Sequence, residues 1–97
     1  MINKLENQTI LEFGNGDICI SYGYYINNED KKINSLTFNN QSPREIWTEG
    51  DIKVGKKYKI KEFPVIMTFS KDDSIDVLIE ALSNIKQSMK LEQNQRD

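Results

Sequence analysis

Val65-Ile66-Met67-Thr68-Phe69-Ser70-Lys71-Asp72-Asp73-Ser74-Ile75-Asp76-Val77-Leu78-Ile79-Glu80-Ala81-Leu82-Ser83-Asn84-Ile85-Lys86 is the stretch in which the chain changes period. Its first five residues are a short apolar run rich in β-branched and aromatic side chains, the pattern of a strand buried on both faces and therefore central in a sheet. From Ile75 onward the apolar residues Ile75, Leu78, Ile79, Leu82, Ile85 and Met89 recur at i, i+3, i+4, i+7, i+10 and i+14. That spacing lays one apolar stripe along an α-helix. Asp73 is placed to cap the helix, Asp76 suits the positive end of its dipole, and Lys86 and Lys90 suit the other end. Burial of Ile75, Leu78, Ile79, Leu82 and Ile85 against a partner is worth roughly 1.5–3 kcal/mol each before entropy. The expectation is therefore that removing the chain from Ser74 onward unfolds the domain.

Upstream of this stretch the period is two. In residues 17–25, Ile18, Ile20, Tyr22 and Tyr24 alternate with Cys19, Ser21, Gly23 and Tyr25, as in a strand. Gly14-Asn15-Gly16-Asp17 is a turn signal, and Thr9-Ile10-Leu11-Glu12-Phe13 before it reads as a strand, so residues 9–25 are expected to form a β-hairpin. Asn27-Asn28-Glu29-Asp30-Lys31-Lys32 reads as a second hairpin tip, with residues 34–39 returning as a strand. Residues 40–51 resist assignment, because Pro43 disfavours a ladder position and Gly50-Asp51 reads as a turn. After a break at Val54-Gly55, residues 56–63 alternate again, Tyr58 and Ile60 lying between Lys57, Lys59 and Lys61.

The fold expected is α+β: a small, mostly antiparallel β-meander or half-barrel of about five strands, with one C-terminal amphipathic helix packed on it. Residues 1–8 read as a polar lead-in, 9–91 as one domain, and 92–97 as a polar tail.

Composition restricts the chemistry. The 97 residues include no histidine and one cysteine, Cys19. That removes the usual general base, the commonest metal ligand and every Ser-His or Cys-His nucleophile pair. A lone thiol builds neither a tetrathiolate site nor an intrachain disulfide, which agrees with a reducing compartment. No apolar run approaches the roughly 20 residues that span a bilayer, and Met1-Ile2-Asn3-Lys4-Leu5-Glu6 lacks the apolar core of a signal peptide. A cytoplasmic protein is expected, with no cofactor and no membrane partner. Eleven of the 13 basic residues are lysine, and Ile and Asn are abundant, a usage that suggests an AT-rich genome such as that of a low-GC bacterium or its phage.

The polar clusters each have a functional and a plain reading. Asp72, Asp73 and Asp76 are hard-cation ligands by type, but capping and dipole effects explain three acids at a helix start, and no glycine supplies the turn of a calcium loop. Lys57, Lys59 and Lys61, on one strand face, are placed to track a phosphate backbone while Tyr24, Tyr25 or Trp47 stack on bases. The plain reading is a solvated strand face that discourages edge pairing. The net charge of −2 sets the whole-chain field against nucleic acid. Tyr22, Tyr24 and Tyr25 fall on both faces of one strand, and tyrosine is a favoured contact residue. Trp47, close to Arg44, is either a core plug or an interface anchor.

The leading expectation is a non-catalytic binding module, an accessory or inhibitory protein of a phage or mobile element, acting through protein contacts or self-association. The alternative is a small β-domain that binds a nucleotide or nucleic acid. The contact residues expected are Tyr24, Tyr25, Arg44, Trp47, Lys57, Lys59 and Lys61.

Overall fold

The computed structural model describes residues 1–53 and 55–95. Five antiparallel strands form two sheets, followed by one long helix, so the α+β class holds, and the strands do not close into a barrel. The first sheet is a hairpin of β1 (Ile2–Leu5) and β2 (Gln8–Leu11), with Ile2 opposite Leu11 and Leu5 opposite Gln8. The second is a meander of β3 (Ile18–Ile26), β4 (Lys32–Asn40) and β5 (Val65–Phe69), in that spatial order. The helix α1 runs from Asp72 to Gln95.

The strongest hairpin of the structure is the β3–β4 pair. Nine residues of β3 face nine of β4, from Ile18 opposite Asn40 to Ile26 opposite Lys32. Its tip is tied by Asn27, whose side-chain oxygen accepts from the Glu29 and Lys31 amides at 2.9 and 3.0 Å. Asp30 adopts a positive φ of 60° there, which Asp tolerates better than most residues. The tip expected from the sequence is the one observed.

The hairpin expected over residues 9–25 is not formed. β2 pairs backward with β1, so residues 1–8, expected as a lead-in, carry a strand and its turn. The reason lies in Gly14-Asn15-Gly16. The Arg44 amide donates to the Asn15 carbonyl at 3.3 Å, and a Cβ on Gly16 (φ +66°) would lie 1.8 Å from the Arg44 carbonyl oxygen. Gly16 admits a neighbouring backbone, Gly14 supplies a positive φ of 141°, and the segment carries the chain from one sheet to the other instead of closing a tight turn. The Met1 ammonium also joins the sheets, contacting the buried Asp17 carboxylate at 2.9 Å, and the Ile2 amide donates to Asn40 Oδ1 at 2.8 Å.

Residues 56–63, expected as a strand, form no ladder. Their polar groups are used locally: the Lys53 amide donates to Tyr58 Oη, the Lys59 amide to Glu62 Oε2 at 2.8 Å, and one 3₁₀ turn spans Ile60–Glu62. Alternation becomes a strand only where the segment is laid along a sheet edge, and residues 56–63 run along neither the β3 nor the β5 edge. β5 is an edge strand and not the central one, and its Ile66 and Met67 are exposed. Of the expected break at Val54-Gly55, Val54 lies outside the described residues, as do Arg96 and Asp97 of the expected tail. Residues 92–95 of that tail are helical.

Residues opposite one another in the register share a face, so the meander has two distinct sides. One carries Cys19, Ser21, Gly23 and Tyr25 with Thr37, Ser35 and Ile33 of β4. Cys19, Ser35 and Thr37 on it are buried, and the Ser21 and Thr37 hydroxyls are hydrogen-bonded to each other. Gly50 is held against this side, where a Cβ would meet Cys19 Sγ at 2.5 Å. The other side carries Ile18, Ile20, Tyr22, Tyr24 and Ile26, with Phe38 and Leu36, and Val65, Met67 and Phe69. Phe38, only 4% exposed, is its anchor, and Phe13 meets it edge-on at 6.1 Å between ring centroids.

The helix does not cover that apolar side. α1 follows β5 after two residues, with Ser74 bonded to the Lys71 carbonyl, and touches the sheet through β5. Ile79, Leu82, Ile85 and Met89 on the stripe are 55–58% exposed. Val77 and Leu91, on the opposite side of the helix, are 68% and 57% exposed. From Ile79 to Met89 the two sides are equally open and nothing is packed on the stripe; only its start, Ile75 at 38% exposed and the half-buried Leu78, is less open, at the end of the helix that meets β5. Asp72 and not Asp73 is the first helical residue, so Asp73 lies in the first turn and does not cap it.

Candidate interaction surface

The chain leaves an unusually large surface open for its mass. A compact monomer of this mass exposes about 5,700 Å² by the usual size scaling. This chain exposes 8,581 Å². Its radius of gyration is 15.8 Å, against about 12.5 Å for a compact domain of this length. Among the described residues only Ile18, Cys19 and Phe38 are buried hydrophobics. Two of the surfaces left open are apolar: the uncovered side of the meander and the stripe of α1 from Ile79 to Met89.

On the sheet, Tyr22 is 89% exposed, and Ile20, Tyr24 and Ile26 beside it are also open. They belong to one strand because the alternation of residues 18–26 places every second side chain on the same face. Lys32, at the end of β4, sets its Nζ 4.5 Å from the Tyr24 ring centroid, an attraction between a cation and a ring face. The helix adds a second stripe, from Ile75 to Met89, about 21 Å long at 1.5 Å per residue.

A third feature flanks the start of β3. Residues 42–51 form a loop gathered around Arg44. Its Nη1 donates to the Glu49 carbonyl at 2.9 Å, its Nη2 pairs with Asp51 Oδ1 at 2.9 Å, and its Nε donates to the Ser42 carbonyl at 3.1 Å. Arg44 is thus a clamp that shapes the loop. Trp47 stands out from the loop, 99% exposed and at φ +80°, a conformation that costs a bulky side chain about 1–3 kcal/mol and persists only where its surroundings hold it. Beneath it lies a cleft of about 380 Å³ lined by Phe13, Ile18, Ile20, Ile46 and Trp47. Of the two sequence readings of Trp47, the core plug is excluded by its position.

The remaining expected contact residues are dispersed. Tyr24 is on the open face, whereas Tyr25 is on the other side of the sheet and half-buried. Lys57, Lys59 and Lys61 are exposed but share no strand face, since no strand forms there. Lys53 pairs with Glu49 at 3.1 Å, and Lys56 lies 5.4 Å from the Tyr58 ring centroid. Asp72, Asp73 and Asp76 are exposed on the first turns of α1. Among the described residues no group of three or more acidic, Cys or His side chains is placed to hold a metal ion, and no helix is long and apolar enough to cross a membrane. Ile20, Tyr22 and Ile26 were absent from the expected contact set, although the period-two pattern that defines the strand already grouped them with Tyr24.

Comparison with known proteins returns no match: no family model, no curated protein and no solved structure matches the chain.

Proposed function

We propose that this chain is a non-catalytic interaction module that acts through protein–protein contacts, using the open face of the meander and the stripe of α1. The observation that carries the reading is the uncovered apolar surface. Monomeric proteins rarely expose contiguous apolar patches beyond a few hundred Å², and larger ones mark interaction sites. The composition of the patch supports it, with Tyr22 and Tyr24 on the sheet, Trp47 at its margin, and only Lys32 among the residues of the open sheet face carrying a charge. The absence of histidine and the burial of Cys19 argue in the same direction, away from nucleophilic chemistry. A cytoplasmic accessory or inhibitory protein of a phage or mobile element fits the lysine-rich, single-cysteine composition. The nucleic-acid reading has less support, because the three lysines it needs are not aligned on one strand.

A photo-crosslinking amino acid at Tyr22, compared with one at Lys31 in the polar hairpin tip, tests the reading in the host cell. Discrete protein adducts from position 22 and none from position 31 are expected. No adduct from position 22, or adducts only with nucleic acid, would overturn it.

A further inference from the structure

We infer that the β3 edge of the meander pairs with the β3 edge of a second copy of this chain, across a two-fold axis at Tyr22, so that the two open faces join into one continuous face. This deepens the interaction-module reading and rests on it. β3 is an edge strand nine residues long, and no residue from Ile18 to Ile26 makes a backbone hydrogen bond outside its own sheet among the described residues. Native edges are protected by charge, proline, bulges or shortness. Ile18-Cys19-Ile20-Ser21-Tyr22-Gly23-Tyr24-Tyr25-Ile26 has none of these. The opposite edge, β5, is five residues long and preceded by Pro64.

The sequence of β3 is also close to palindromic in character. In an antiparallel pair centred on Tyr22, Ile18 faces Ile26 of the second copy, Ile20 faces Tyr24, and Tyr22 faces its own equivalent. On the other side Cys19 faces Tyr25 and Ser21 faces Gly23, so a small residue stands opposite each neighbour. Every apolar residue of the open face then meets an apolar one, and aromatic against β-branched pairs are among the favourable cross-strand combinations. Registers centred one residue away, on Ser21 or Gly23, leave two residues of each strand unpaired. The Tyr22 register alone uses all nine. It also brings Ile26 of the second copy to the level of Ile18, at the mouth of the cleft beneath Trp47.

The pairing closes: it consumes both β3 edges, produces one six-stranded sheet, and is isologous, as most dimers are.

Light scattering on a sizing column tests this with the full chain at up to about 100 µM, where an interface of standard size is populated. The mass expected is twice the 11.3 kDa of one chain. Tyr22→Lys sets two ammonium groups opposite each other and is expected to weaken the dimer by about 100-fold or more. Because Tyr22 is exposed, the variant keeps the wild-type far-UV circular dichroism. Mixing Tyr22→Lys with Tyr22→Glu restores a dimer. A Cys19→Ala/Tyr22→Cys chain oxidises to a disulfide-linked dimer, whereas Cys19→Ala/Tyr24→Cys, off the axis, does not. A folded, strictly monomeric wild type overturns the inference; in that case adducts to another protein from position 22 would leave the interaction-module reading intact. A dimer indifferent to Tyr22→Lys and without the Tyr22→Cys disulfide overturns the β3 edge as its seam.

Discussion

Replacing Ile79, Leu82 and Ile85 together by glutamine separates two accounts of the helix. Glutamine matches leucine and slightly exceeds isoleucine in helix propensity, so any loss of stability comes from burial. If the stripe lay on the sheet, each side chain would lose roughly 1.5–3 kcal/mol of burial, and three together would consume most of a typical domain's 5–15 kcal/mol. In the structure the three are 55–58% exposed, as open as Val77 and Leu91 on the far side of the helix. The contribution expected from each is therefore within about 0.5 kcal/mol of zero. Urea unfolding followed by far-UV circular dichroism at low micromolar concentration measures it. Tryptophan emission would be a poor reporter, because Trp47 is already solvated in the folded state. A loss above about 1.5 kcal/mol per site, or a chain that no longer folds, would show that the stripe is packed and refute the reasoning.

Phe38→Ala removes the anchor of the open face and its edge contact with Phe13; a loss of 3–5 kcal/mol is expected by urea unfolding, enough to leave so small a core largely unfolded. Gly16→Ala combines a positive φ with a clash against the Arg44 carbonyl, which is backbone and has no rotamer to yield. A drop of about 2 kcal/mol or more is expected, with amide exchange accelerating in residues 41–51. Arg44→Ala releases the loop, so the amides of residues 45–51 should exchange faster while the β3–β4 amides keep their protection; global stability should fall by no more than about 1 kcal/mol, since the clamp is partly solvated. Trp47 should emit near the wavelength of indole in water and be fully quenched by iodide in the free chain, a shift to the blue accompanying any complex that covers it.

Local order in this chain is largely a matter of residue pattern. The β3–β4 hairpin, the Asn27 tip and the helix were legible because period and turn chemistry act over a few neighbours. The failures share a cause. Thr9 to Phe13 and Gly14-Asn15-Gly16 looked like half of a hairpin with β3, yet β2 paired with β1 because Gly16 was needed for the approach of Arg44, 28 residues away in the chain. Residues 56–63 alternated without being laid along either free edge of the meander, and Val65 to Phe69 was apolar without being central. Which strand lies beside which is decided by long-range competition for edges, and local pattern holds no record of it.

The sequence by itself determined that strands precede one helix, that the helix carries an apolar stripe, and that histidine chemistry is absent. These follow from periodicity and composition. Only the tertiary structure decided that Trp47 is outside, that Tyr22 and not Tyr25 stands on the open face, and that the stripe from Ile79 onward is left without a cover. Amphipathicity states that a surface is apolar and requires burial. It cannot state whether the same chain supplies the burial, because that depends on where the elements end up in space, and here they end up apart.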